Sequence, residues 1–199
     1  MTPYYEQSGI TIYHGDCREV LSLVRADVIA TDPPYGMGHV EWDAQIVPVE
    51  SWLPLALAVA PVVLFCGVQG VYDYPKPTWI GAWVRLGSTQ RNGALRGFNN
   101  WEPILMYGLP SLANDVIAVP NFPDVSADRH PTPKPLRLMA RLLALLPQGA
   151  VLDPFMGSGT TLVAAKQSHR RAIGIGINER YCEIAAQRLQ QEALPLEVA

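Results

Sequence analysis

Two short runs in this chain hold residues whose types and spacing suit chemistry. The first, Asp32-Pro33-Pro34-Tyr35, follows the apolar segment DVIAT. The two prolines stiffen the turn, so the Asp32 carboxylate and a main-chain carbonyl can be aimed at one small group without reorganising during a reaction. Read alone, the same residues also describe an ordinary proline-stiffened turn with an Asp near its start. The second run, AVLDPFMGSGTTLVAA at 150–165, reads as a strand, a glycine-rich turn and a helix. Gly157 and Gly159 let backbone approach a ligand closely, while Ser158, Thr160 and the helix N-terminus offer donors. The turn lacks the lysine of a GxxxxGK[ST] phosphate loop and the spacing of a GxGxxG dinucleotide fingerprint, which excludes both. A purely structural glycine turn is the competing reading.

The elements that must position these runs alternate along the chain. ITIYHG, DVIAT, PVVLFCG, WIGAWVRL, PILMYG, AVLDPF and RAIGIGI read as strands, and REVLSLV, SWLPLALAVA, PLRLMARLLALL, TLVAAKQS and ERYCEIAAQRLQQE as helices. Strands alternating with helices predict an α/β fold, with a mostly parallel sheet covered on both faces. Ligands of such open sheets bind beyond the carboxyl ends of the strands, where both chemical runs fall.

With 199 residues, 49% of them hydrophobic, the chain suits one globular domain that needs no disulfide or metal staple. Cys17, Cys66 and Cys182 are far apart with no CxxC spacing, and His14, His39, His130 and His169 lack ligand spacing, so no metal is expected. The apolar stretch Trp52 to Val68 approaches bilayer length, but Pro54 and Pro61 divide it into a helix and a buried strand. The N-terminus has no secretory pattern, and a cytoplasmic setting is the expectation. A formal net charge of -3 gives no global argument for nucleic acid. Locally, Lys76, Arg85, Arg91 and Arg96 lie between Tyr74 and Trp101 with no acid among them, a basic loop that suits phosphate contact or simply a solvated surface.

Taken in order, DPPY at 32–35, HPTPKP at 130–135, DPFMGSGTT at 153–161 and AIGIGINERYCEIA at 172–185 resemble the S-adenosylmethionine-dependent DNA amino-methyltransferases of the β arrangement, in which the catalytic motif precedes the cofactor motif. The resemblance runs from HGDCREVL at 14–21 to the last helix. It implies a Rossmann-like methyltransferase fold with circularly permuted motif order. Residues 1–199 would form one catalytic domain, with the basic loop at about 86–100 and a very short target-recognition insertion at about 110–129. Asp32, Pro33, Pro34 and Tyr35 take the catalytic positions. Asp153, Phe155, Gly157, Ser158, Gly159, Thr160 and Thr161 would cradle the methionine part of S-adenosylmethionine, and Lys134 would close the pocket from the other side. Asp16 is placed to meet the adenine edge of the cofactor, although a GD pair after a strand is also a helix N-cap. Trp42, Arg85, Arg91, Arg96, Phe98 and Trp101 would meet double-stranded DNA or the flipped base, and the segment GMGHVEWD after Tyr35 would close over it. The partner implied is DNA, with a homodimer as an option, and no membrane.

The resemblance also says why DPPY suits the reaction. An exocyclic amine is a poor nucleophile because its lone pair is delocalised into the ring, and Asp32 with the Pro33 carbonyl would accept its two hydrogens and direct the lone pair at the sulfonium methyl. Within the family an Asp at the first position accompanies adenine N6 more than cytosine N4, so Asp32 favours adenine. The alternatives are an N4-cytosine or RNA-base methyltransferase, or a catalytically impaired DNA-binding subunit. Release-factor glutamine methyltransferases use a similar NPPY turn, but with Asn and with the cofactor motif first. One departure stands out: where relatives carry an acid for the cofactor ribose in a GIEI-like run, this chain reads Gly174-Ile175-Gly176-Ile177. Losing such a charged hydrogen bond costs about 1.5–3 kcal/mol, and Asn178 is the nearby substitute.

Overall fold

The computed structural model describes residues 1–35, 47–86, 91–92, 97–98, 100–109, 112–121 and 134–190. The chain opens with β1 (Tyr5–Gln7) and β2 (Ile10–His14), joined by a two-residue turn in which Ser8 and Gly9 both have positive φ, 52° and 77°. Next come α1 (Cys17–Val20), running into a 3-10 turn at Leu21–Leu23, and β3 (Val28–Thr31). The apolar stretch at 52–68 divides as its prolines predict. It gives the end of α2 (Val49–Val59), then β4 (Val62–Phe65) after Pro61, and no helix among the described residues is long and apolar enough to cross a membrane. After β5 (Trp79–Val84), the two-residue strands β6 (Arg91–Asn92) and β7 (Gly97–Phe98) pair within the basic loop, and β8 (Trp101–Tyr107) and β9 (Val116–Ala118) follow. The chain then forms α3 (Leu136–Leu145), β10 (Val151–Asp153), α4 (Thr160–Gln167), β11 (Ala172–Gly176) and α5 (Glu179–Gln190).

Among the described residues nine strands make one sheet in the order β1-β2-β11-β10-β3-β4-β8-β5-β9. The central run from β2 to β4 is parallel throughout, β5 and β9 are parallel to each other, and β8 runs against both of its neighbours. The strands without an exposed face read as unbroken apolar runs: VIAT in β3 and VVLF in β4 are wholly buried. Helix α2 packs Trp52, Leu53 and Ala56 on one face with Val62, Leu64, Leu105 and Leu152, while α3, α4 and α5 bury Leu138, Leu142, Leu162 and Ala185 on the other with Val63, Phe65, Ile104 and Met106.

This topology fixes where a ligand can sit. From β3 the chain crosses through α2 to β4 in one direction, and from β10 through α4 to β11 in the other, with the two helices on opposite faces. The neighbours β3 and β10 therefore bound a crevice at their carboxyl ends, the switch point of a doubly wound sheet. Because β8 is antiparallel, its first residues lie on that same rim.

Trp52 of α2 is fully buried and meets Phe155 of the glycine turn edge to face, with ring centroids 4.9 Å apart. Trp52→Ala is expected to lower the unfolding free energy by about 3–5 kcal/mol in urea titration, the range for deleting a large buried aromatic.

Candidate active site

Five side chains from four segments of the chain meet at the rim. Asp32 follows β3, Tyr35 ends the DPPY turn, Arg85 follows β5, Glu102 is the second residue of β8, and Lys134 stands just before Pro135, the N-cap of α3. Lys134 Nζ donates to both Asp32 oxygens at 2.8 Å and lies 2.9 Å from Glu102 Oε1. The Tyr35 hydroxyl lies 2.6 Å from Asp32 Oδ1 and 2.6 Å from Glu102 Oε1, so one O–H proton serves two carboxylate oxygens. Arg85 pairs with Glu102 Oε2. Rings wall the group: Lys134 Nζ is 5.2 Å from the centroids of both Tyr35 and Phe65, and the Arg85 guanidinium lies 4.9 Å over Trp83.

The protonation balance follows from burial and charge together. Burial would lift the Glu102 carboxyl, but Lys134, the Tyr35 hydroxyl and Arg85 outweigh it and hold Glu102 below its ordinary value. Burial lifts Asp32 above the usual carboxylate range, with Lys134 pulling against the lift and the charge of Glu102 adding to it. Lys134 remains firmly cationic, since the two carboxylates overcome the desolvation that would discharge it. The Tyr35 phenol is pushed well up by burial and by both carboxylates. With side-chain exposures of 31% for Asp32, 11% for Lys134 and 4% for Glu102, Asp32 is the most outward of these three.

The glycine turn lies across the crevice, tied to the first run by a buried hydrogen bond. Thr31 Oγ1 donates to Asp153 Oδ1 at 2.7 Å, and Thr161 Oγ1 donates to Asp153 Oδ2 at 2.6 Å. The Phe155 N–H adds a third donor at 3.1 Å. Asp153 is thus the brace between the two runs, a role its place beside glycines did not reveal. Gly157 and Gly159 both have positive φ, 49° and 80°, and a Cβ on Gly159 would stand 2.7 Å from that of Ala185. Only glycine keeps this turn and the close packing of α4 on α5. Ser158 and Thr160, expected as donors to a ligand, are buried, and their hydroxyls accept from Arg188 Nη1 at 3.2 and 3.3 Å.

Other expectations divide. Asp16 is the N-cap of α1: its carboxylate accepts from the Arg18 N–H at 2.9 Å and pairs with the Arg18 guanidinium, which holds it below the usual range. Asn178 Oδ1 likewise accepts from the Arg180 N–H at 3.0 Å. Arg85, expected at a DNA phosphate, turns inward and pairs with Glu102 Oε2. Lys134, expected at the cofactor, sits on Asp32. Trp101 is 43% exposed at the start of β8. Trp42, Arg96 and most of HPTPKP lie outside the described residues, as do the side chains of Arg91 and Phe98. At Gly176 a Cβ would stand 2.9 Å from both Cys182 Sγ and Met156 Cε, so those two side chains fill the space an acid at 176 would need. Glu102, Phe65 and Thr31 were missed. Glu102 carried a signal, a lone acid in the otherwise apolar run WEPILMY.

Comparison with known proteins places this geometry. Residues 74–187 match the family model described as DNA methylase. The Escherichia coli (strain K12) protein YubD is 33% identical, over 88% of this chain and 88% of its own. The Type II methyltransferase M.ScaI of Streptomyces caespitosus is 28% identical, over 98% of this chain and 86% of its own. A crystal structure of an M1.HpyAVI–SAM complex superposes with a TM-score of 0.67 at 27% identity, covering 92% of this chain and all of that one.

Burial lifts the Asp153 carboxyl from 3.8 to about 6, against the pull of Thr161, Thr31 and the Phe155 N–H. A carboxyl raised in the folded state binds its proton more tightly there than in the unfolded chain. Its stabilising contribution is full below pH 3.8 and is lost as pH rises through about 6. Relative to Asp153→Asn, the protein is expected to lose about 2–3 kcal/mol of unfolding free energy across that window, read from urea titrations at stepped pH. A difference that stays level with pH would contradict this.

Proposed function

This chain belongs to the DNA methylase family, and from that premise we propose that it is a site-specific enzyme of the β arrangement, transferring a methyl group from S-adenosylmethionine to the exocyclic N6 amine of adenine in double-stranded DNA. The observation that carries the reading is the juxtaposition of Asp32 and the Gly157–Gly159 turn at the ends of adjacent strands, joined through Thr31 and Asp153.

The residues present suit the cofactor. The glycine turn opens directly into α4, whose N-terminus has no side-chain cap, and would offer backbone N–H groups there to a carboxylate-bearing ligand. Phe155, held by Trp52, supplies an apolar wall beside it. Asp16 and Asn178 stand after the ends of β2 and β11, where the nucleoside part would lie. When bound, S-adenosylmethionine supplies an electrophilic methyl on a sulfonium.

The chain's own residues do the rest. The target base has to leave the stack for its amine to reach the rim, and the Tyr35 ring offers it a face. Asp32 and the Pro33 carbonyl accept the two amine hydrogens and turn the nitrogen lone pair toward the methyl. As the nitrogen–carbon bond forms, the carbon–sulfur bond breaks, its electron pair stays on sulfur, and the surplus amine proton leaves through Asp32 to water. No covalent enzyme intermediate is needed, so the rate rests on in-line positioning and preorganised acceptors. The choice of adenine rests on the Asp at position 32.

Nucleoside mass spectrometry of unmethylated DNA, after incubation with the protein and S-adenosylmethionine, is expected to yield N6-methyladenine. N4-methylcytosine would move the assignment to the other amine, and the absence of any methylated base would contradict the reading.

A further inference from the structure

We propose that Glu102 is a positioning residue for methyl transfer: from the start of β8 it holds Lys134 and Tyr35 around Asp32, so that the site presents an acceptor and a donor side by side, the complement of an exocyclic amine next to a ring nitrogen that carries no proton. The inference rests on the methylation reading above and specifies which edge of the base the site receives.

Glu102 is a carboxylate with both oxygens committed and almost no exposure. Oε1 accepts from Lys134 and lies 2.6 Å from the Tyr35 hydroxyl, and Oε2 pairs with Arg85. A buried carboxylate is costly unless it is paired, and among the described residues every pairing of Glu102 runs to a residue of the Asp32 cluster or to the cation behind it. Arg85 neutralises Glu102 from the side of Trp83, which leaves Lys134 to be shared with Asp32.

That sharing matters because Lys134 occupies both Asp32 oxygens, the positions a target amine needs. The ammonium has three N–H donors and four oxygen acceptors within 3.2 Å: both oxygens of Asp32, the Tyr35 hydroxyl and Glu102 Oε1. An arriving amine can take over Asp32 while Glu102 and Tyr35 keep the ammonium in place, and an N–H freed from Asp32 then stands beside the amine. Adenine N1 and cytosine N3 each offer a lone pair next to their amine. On their Watson–Crick edges guanine N1 and thymine N3 would instead turn an N–H on the ammonium, and the unprotonated N3 beside the guanine amine lies on the other edge, next to the glycosidic bond. A base entering by its Watson–Crick edge is therefore accepted as adenine or cytosine and refused as guanine or thymine, with no preference between the first two.

The test compares the wild-type protein with Glu102→Gln, whose fold is checked by circular dichroism. In Glu102→Gln, kcat for DNA methylation is expected to fall roughly 30-fold while the KM for S-adenosylmethionine stays within about threefold. Without cofactor, the Asp32 carboxyl followed by carbon-13 NMR is expected to titrate at lower pH than in wild type, because a negative neighbour has gone and Lys134 turns wholly to Asp32. A second measurement stands if Glu102→Gln does not fold. On DNA carrying the deaza analogue of the accepted base, with C–H in place of that ring nitrogen, wild type is expected to slow by roughly tenfold or more, and Lys134→Met to show no further loss beyond its own. The proposal is overturned by a folded Glu102→Gln with full kcat, by lost activity with Asp32 titrating unchanged, or by equal wild-type rates on the natural and deaza bases. A wild-type protein inactive on all four natural bases would instead overturn the methylation reading, and this inference with it.

Discussion

A carboxylate pair, one buried and one partly exposed, sharing one ammonium is the constraint on which the rim of this sheet depends. Asp32 and Glu102 both lie within hydrogen-bond reach of the same Tyr35 hydroxyl, and two carboxylates that close repel unless cations intervene. Lys134 intervenes between them and Arg85 behind Glu102, so that two positive and two negative groups close the set. The cluster joins four stretches of chain that are distant in sequence, and it ties the strand reversal at β8 to the start of α3. Asp32 is left more exposed than Lys134, Arg85 and Glu102, and is stiffened from behind by two prolines.

The second constraint runs sideways through the sheet. Thr31 is fully buried at the end of β3, yet polar, and its hydroxyl reaches Asp153 on the neighbouring strand. Through that bond the turn at Asp32 and the turn at Gly157 are held in one frame, with Thr161 of α4 completing the grip. A site that moves a single carbon between two ligands requires fixed distances, and the frame supplies them from strand ends rather than from loops. The helices crossing to opposite faces at β3 and β10 open the crevice in which the two turns face each other.

Much of this was legible from the residues. The main strands and helices followed from period and punctuation, and both chemical runs fell at strand ends as read. Several things escaped, for physical reasons. The hairpin of β1 and β2 was passed over although Ser8-Gly9 is a two-residue turn signal, because YEQ is short and polar, as an edge strand can be. The antiparallel placing of β8 depends on non-local pairing that no local pattern encodes, and with it went the meeting of Glu102 with Asp32. Arg85 read as part of a basic loop because charge counted along a sequence does not say which way a side chain turns. The hydroxyls of Ser158 and Thr160 were assigned to a ligand on type alone, whereas Arg188, thirty residues from Ser158, claims them.

The central claim is that Asp32 acts on the amine and the glycine turn holds the methyl donor. The measurement that tests it most directly sets Asp32→Ala against wild type in two assays, calorimetric binding of S-adenosylmethionine and transfer of a radiolabelled methyl group to DNA. The account predicts cofactor affinity within a few-fold of wild type, with transfer reduced by about 100-fold or more. Transfer that survives in Asp32→Ala, or transfer lost only because the cofactor no longer binds, would contradict it.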